Sequence, residues 1–174
     1  MLILCQFSDS ATYPRTLTKI KAINPAEIII PGSIHDSVKL YNEVEESVPL
    51  ANVQRVQRKY FSDNKGLHLV RHLCVEELQS VELQFRNKFY SLAAANALIK
   101  FLEHSQGINF PPKSVKVEYQ VPESSTIIDP ETAEQIELMN CLVQKKSAKS
   151  LFAVMNQCST PGGVRLLRSN LFQV

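Results

Sequence analysis

The positive charge in this chain gathers towards its end. Residues 141–174 hold Lys145, Lys146, Lys149, Arg165 and Arg168 and no Asp or Glu, a local charge of +5. Side chains of this type neutralise phosphates, and each neutralised phosphate adds salt-dependent affinity for a nucleic acid. Five charges over 34 residues are sparse, however. The favoured reading is a solvated helix face, with arginines left over for carboxylate pairs, and contact with DNA or a partner is the sharper alternative. A second basic stretch, Arg55, Arg58 and Lys59 beside Tyr60 and Phe61, has the composition of a base-stacking platform. Stacking needs the rings exposed, and such rings more often belong to a core.

Metal and acid–base chemistry find less support. His68 and His72 stand four apart with Cys74 two further on, but the general-base Glu of His-Glu-x-x-His is missing. Interleaved Leu and Val make an amphipathic helix the better reading. Asp9 and Glu27 fall at the edges of predicted strands, yet a two-metal nuclease needs more clustered carboxylates than these. The glycines at 32, 66, 107, 162 and 163 form no Gly-x-x-x-x-Gly-Lys-Ser/Thr loop, so no phosphate cradle for ATP is expected in this chain. Cys5, Cys74, Cys141 and Cys158 are scattered without Cys-x-x-Cys, which suits reduced thiols. No catalytic, cofactor-binding or metal-ligating residue is expected.

The elements that must position these residues follow an α/β grammar. At 174 residues, 44% apolar and 21% charged with net charge +2, the chain suits one domain, or one and a piece of another. Leu2–Phe7 reads as a strand ended by Ser8-Asp9-Ser10. A helix is expected from about 12 to 22, broken at Asn24-Pro25, then a strand over Ala26–Ile30 closed by Pro31-Gly32. Val38, Leu40, Tyr41, Val44 and Val48 give a second helix, and 52–61 a strand or extended segment. Strand, helix, strand, helix, strand implies a mainly parallel sheet. Asp63 is expected to cap a helix buried through Leu67, Val70, Leu73 and Cys74.

One long helical stretch is expected from about Glu76 to His104, ended by Gly107 and Pro111-Pro112. Val115, Val117 and Tyr119 alternate with charges, as a half-buried strand or an extended linker does. From 124 the pattern turns helical: Glu131–Val143, then Leu151, Val154 and Met155 as one apolar stripe, then Val164, Leu167 and Leu171 as another. Between these last two, Thr160 reads as an N-cap and Pro161 as the first helical residue. Gly162 and Gly163 in the first turn suggest close approach of a neighbouring helix. No run reaches 18 apolar residues, so no membrane span is expected.

These motifs resemble the MutS family when taken in order. Cys5-Gln-Phe-Ser-Asp, then Leu17 and Ile23-Asn-Pro-Ala-Glu-Ile-Ile-Ile-Pro, is similar to the MutS connector, and Ala93–Leu102 to that domain's long last helix. Ile128-Asp129-x-x-Thr132-x-x-Gln135-Ile136-Glu137-Leu138 resembles the start of the MutS core, with Gln135 and Ile136 in place of Asn and Leu. Ser150-Leu-Phe with Thr160-Pro161-Gly162-Gly163-x-Arg165 completes the set. Asp129, Thr132, Glu137, Leu138, Thr160, Pro161, Gly162 and Gly163 are therefore family-motif structural positions. Val53–Phe61 and Ser150–Asn156 look most like the meiosis-specific subfamily of fourth MutS homologues.

The resemblance implies an RNase-H-like α/β connector at 1–106, lacking a first strand, a linker at 107–125, and the all-α beginning of the core (lever) domain at 126–174. It implies a fragment or truncated product of a clamp on branched or mismatched DNA acting in meiotic recombination. In the complete protein the connector would couple ATP state to DNA binding. ATP and magnesium would belong to that protein alone. A second MutS homologue as heterodimer partner, MutL-type proteins, and a place in the nucleus on meiotic chromosomes are further implications. The alternative is a truncated interaction module, binding the partner homologue without DNA or ATP through an exposed patch at Val164, Leu167 and Leu171. On either view 126–174 is expected to be loosely held.

Overall fold

The computed structural model describes residues 1–32, 35–48, 51–75, 83, 85–121, 128, 130–141 and 150–172. Its elements in chain order are β1 (Leu2–Leu4), α1 (Pro14–Ile23), β2 (Glu27–Pro31), α2 (His35–Ser47), β3 (Asn52–Val56), a 3-10 turn (Arg58–Tyr60) and α3 (Asp63–Leu73). There follow α4 (Phe89–Ser105), β4 (Val117–Tyr119), α5 (Pro130–Gln135), α6 (Leu151–Met155) and α7 (Pro161–Phe172). The alternation of strand and helix up to β3 is the expected one. The strands form two small parallel pairs among the described residues, β1 with β4 and β2 with β3. Leu2, Ile3 and Leu4 lie opposite Val117, Glu118 and Tyr119. In the second pair Asn52 N–H donates to Ala26 C=O at one end and Gly32 N–H to Val56 C=O at the other, so both strands ascend together. Of the two readings of 115–119, half-buried strand or extended linker, the strand is the one formed: β4 pairs with β1, and a parallel bridge joins Cys74 and Val115.

The chain packs as two compact units, one of residues 1–8, 29–39 and 53–122, the other of 9–28, 40–52 and 123–174. The core of the first is Leu4, Val70, Cys74, Phe85, Leu92, Ala95 and Val117, with Leu2, Leu67, Val115 and Tyr119 packed on it. It puts β1–β4 against α4, and α4 against α3. Val70, Leu73 and Cys74 are buried on the expected face of α3. The start of that helix differs slightly: Ser62 holds the N-cap position and Asp63 is the first helical residue.

Helix α4 begins at Phe89 rather than continuing from 76; residues 76–82 lie outside the described set. Good helix formers dominate the whole stretch, which is why composition reads it as continuous. The break comes from tertiary contacts. Phe85 is fully buried, the chain turns at Arg86 and Asn87, and Gln6 Oε1 accepts from Tyr90 N–H (3.1 Å) and Ser91 N–H (3.3 Å). A side chain beside β1 therefore satisfies two of the free donors that every helix start exposes.

The second unit has its own core of Ala22, Ala133, Leu138, Met139 and Phe172, with Ile128, Phe152 and Leu171 packed against it. Helix α1 packs on α5 and α7 there. The described part of 126–174 has a buried face completed by α1, a contact that the apolar pattern of the tail alone does not reveal.

Candidate functional site

Two helix-start signatures in the second unit are realised atom by atom. Thr160 Oγ1 accepts from Gly163 N–H at 3.1 Å and caps α7, with Pro161 in the first helical position. The glycines have a different reason from the expected one. A Cβ on Gly163 would meet Cys158 Cβ and Thr160 Oγ1, both at 3.3 Å, so what crowds it is the preceding turn and its own cap. Gly162 has nothing within 4 Å of that position among the described residues. Among the described residues no neighbouring helix approaches either position.

Glu137 and Leu138, singled out as motif positions, end helix α5. Glu137 adopts φ +53°, Leu138 N–H donates to Ala133 C=O (2.9 Å) and Glu137 N–H to Glu134 C=O (3.0 Å). That bond pair is a Schellman motif, and Leu138 drops into the core beside Ala133. The helix expected over 131–143 therefore stops at Gln135, because the left-handed residue turns the chain before Met139 and Cys141, both buried. The exposed carbonyls of this turn then receive α6. Leu151 N–H donates to Glu137 C=O (3.3 Å) and Phe152 N–H to Leu138 C=O (2.9 Å). Ala153 N–H donates to the Oγ of Ser150, which is fully buried. All three leading N–H groups of α6 are thereby satisfied.

Of the five basic candidates the structure describes Arg165 and Arg168. Lys145, Lys146 and Lys149, with Asp129, lie outside the described residues. Arg165 is exposed on α7. Arg168 is half-buried and committed: its Nε–H donates to Lys21 C=O at 3.0 Å, and its guanidinium lies 5.9 Å from the Phe172 ring centroid. It supplies one of the last carbonyls of α1 with a cationic donor, which also suits the negative end of the helix dipole. Burial lowers its pKa from the ordinary value, yet an arginine stays charged at any working pH. Thr132, Pro161 and Gly162 are exposed.

The apolar stripes are redistributed as well. Val164, Leu167 and Leu171 are half-buried, so the exposed patch expected of them is absent. Leu151, Val154 and Met155 are 47, 66 and 48% exposed instead, and it is Phe152 that faces the core. A five-residue helix held by its backbone ends can turn its stripe outward.

Of the remaining candidates, Asp9 holds a structural post. Asp9 Oδ2 accepts from Thr16 N–H and Thr16 Oγ1, both at 2.8 Å, and Oδ1 from Ser10 N–H (2.9 Å) and Arg15 N–H (3.3 Å). Partial burial pushes this carboxyl up, but the bonds from Thr16, Ser10 and Arg15 outweigh it and hold the pKa below the ordinary carboxylate value. Asp9 serves the start of α1, where Tyr13 makes no side-chain cap. Glu27 is exposed on β2. His68 and His72 are exposed and Cys74 is buried; no group of three or more His, Cys, Asp or Glu among the described residues could hold a metal ion. Tyr60 and Phe61 are half-buried, with Tyr60 C=O accepting from Asn96 Nδ2 at 2.6 Å. Arg55, Arg58 and Lys59 are exposed. No helix among the described residues is long and apolar enough to cross a membrane.

Comparison with known proteins places the chain in a family. Residues 1–112 match the family model described as MutS domain II. Over 99% of its length the chain is 37% identical to MutS protein homolog 4 of Homo sapiens and 32% identical to DNA mismatch repair protein MSH4 of Arabidopsis thaliana. DNA mismatch repair protein MutS of Thermotoga neapolitana is 26% identical over 92% of the chain. The chain spans about a fifth of the length of these relatives: 19, 23 and 18% respectively. The strand–helix alternation, the domain II match over most of the chain and the continuation of similarity to its end make this protein a member of the MutS family.

Proposed function

We propose that the chain is the connector, with the beginning of the core, of a MutS-type clamp that acts on branched or mismatched DNA in meiotic recombination. The similarity to homologue 4 in human and mouse across nearly the whole chain supports the subfamily. An RNase-H-like connector and an all-α continuation from about 126 belong to the same proposal, as does action in the nucleus. The chain itself carries no catalysis in this reading. ATP, magnesium, the partner MutS homologue and any MutL-type contact belong to the complete protein.

The observation that carries the mechanical part is the joint around α1. That helix lies inside the domain II match, while α5 and α7 lie beyond it. Ala22 nevertheless shares a core with Phe172, and Arg168 donates to Lys21. A helix gripped in this way moves with the helices that grip it. The connector can then pass a nucleotide-dependent displacement to DNA-holding parts as a rigid-body shift of packed elements.

The test uses the complete protein with its partner, bound to a four-way junction with and without ATP. Arg168→Met removes the donor to Lys21 and keeps the aliphatic bulk. Junction affinity without ATP is expected to stay within about twofold, while the ATP-induced change shrinks by about tenfold or more, about 1.5 to 3 kcal/mol being usual for a hydrogen bond to a charged group. An undiminished ATP response in the variant contradicts coupling through this joint.

A further inference from the structure

At the start of α4 two aromatic rings stand in solvent, Phe89 57% exposed and Tyr90 80%. The core face of that helix is Leu92, Ala95 and Ile99, all buried, so the rings belong to another side. The turn before them carries exposed Arg86 and Asn87, then Lys88, whose Nζ lies 5.8 Å from the Tyr119 ring centroid. No Asp or Glu occurs from 84 to 102, and α4 has no acidic residue in its first turn. Two of its leading N–H groups, those of Tyr90 and Ser91, are met by the neutral oxygen of Gln6, and among the described residues no carboxylate caps this 17-residue helix to offset its partial positive charge. The Tyr119 hydroxyl, on β4, is buried and has no hydrogen-bond partner among the described residues.

We propose that this corner contacts single-stranded nucleic acid, with Phe89 and Tyr90 stacking unpaired bases while Arg86, Lys88 and the start of α4 take backbone phosphates. The inference deepens the DNA-clamp reading above and rests on it. Neighbouring exposed rings beside cations answer the two halves of a nucleotide, the π-face of the base and the charge of the phosphate. A duplex keeps its bases stacked on one another, so single strands and the unpaired bases of branch points are the fitting partners. An acidic protein segment would satisfy the cations alone and leave the rings without a reason to be outside.

The experiment is fluorescence anisotropy of the 174-residue chain with a labelled oligothymidylate of about twelve nucleotides and with an abasic strand of equal length, at about 50 and 200 mM salt. The oligothymidylate is expected to bind and to weaken several-fold at the higher salt. Phe89→Ala/Tyr90→Ala should weaken it about tenfold or more with unchanged thermal unfolding, since both rings are exposed. Arg86→Gln should weaken it less and flatten the salt dependence, and the abasic strand should bind wild type no better than oligothymidylate binds the double variant. Absence of binding, equal binding by the double variant, equal binding of the abasic strand, or displacement by poly-glutamate as effective as by oligothymidylate each overturns the proposal. None of these outcomes touches the ATP response of the junction-bound complete protein, so the two readings fail separately.

Discussion

Asp9 shows how a residue that could do chemistry is spent on architecture. Carboxylates at strand edges are where two-metal sites are built, but both oxygens of Asp9 are occupied by Ser10, Arg15 and Thr16. Its folded pKa is depressed, so its contribution to stability is present above the ordinary carboxylate pKa of about 4 and is lost as pH falls through the lower folded value. Urea unfolding of wild type and Asp9→Ala should therefore differ at pH 6, by about 1 kcal/mol as usual for a lost helix cap, and converge as the pH drops below 4. A difference that persists unchanged into acid would remove the carboxylate's charge from the explanation. Arg168 went the same way. Sequence composition counts it among five cations, whereas geometry assigns it to the end of α1.

At the scale of elements the packing of α3 on α4 depends on one atom that is not there. A Cβ on Gly66 would lie 2.0 Å from Leu92 O and 2.7 Å from Leu92 C, both backbone atoms that no side-chain rotation can move. Gly66→Ala is thus expected to cost about 3 kcal/mol by forcing the helices apart, measured as a lower urea midpoint. Unaltered stability would mean the helices do not cross this closely. Gly66 carries no signature in the sequence, where it is one glycine within a helical pattern. Thr160-Pro161 did carry one, because a cap is a local bond between residues three apart. The same contrast explains α4: composition supports a helix from 76 onward, but the Gln6 side chain that fixes its start is 84 residues from Tyr90. Likewise Glu137 in the left-handed region has no glycine to announce it, so the end of α5 was legible only in the structure.

For the whole molecule, the order of strands and helices to β3 was readable from local patterns, and family membership from motif order. Which helix closes which core was not, because Arg168 and Lys21 meet across 147 positions and apolar periodicity says only that a face is buried, never against what. That unread contact now carries the functional account. A domain II helix is held by the helices that follow, which supports the proposed role of the chain as a coupling piece whose main DNA contacts belong to the rest of the protein, with a single-strand contact proposed at α4. The direct measurement is titration of a four-way junction with the 174-residue chain and with the complete protein in parallel at low and physiological salt. The account predicts tight junction binding by the complete protein, and for the chain only weak binding that fades with salt. Tight, salt-insensitive junction binding by the chain alone would contradict it.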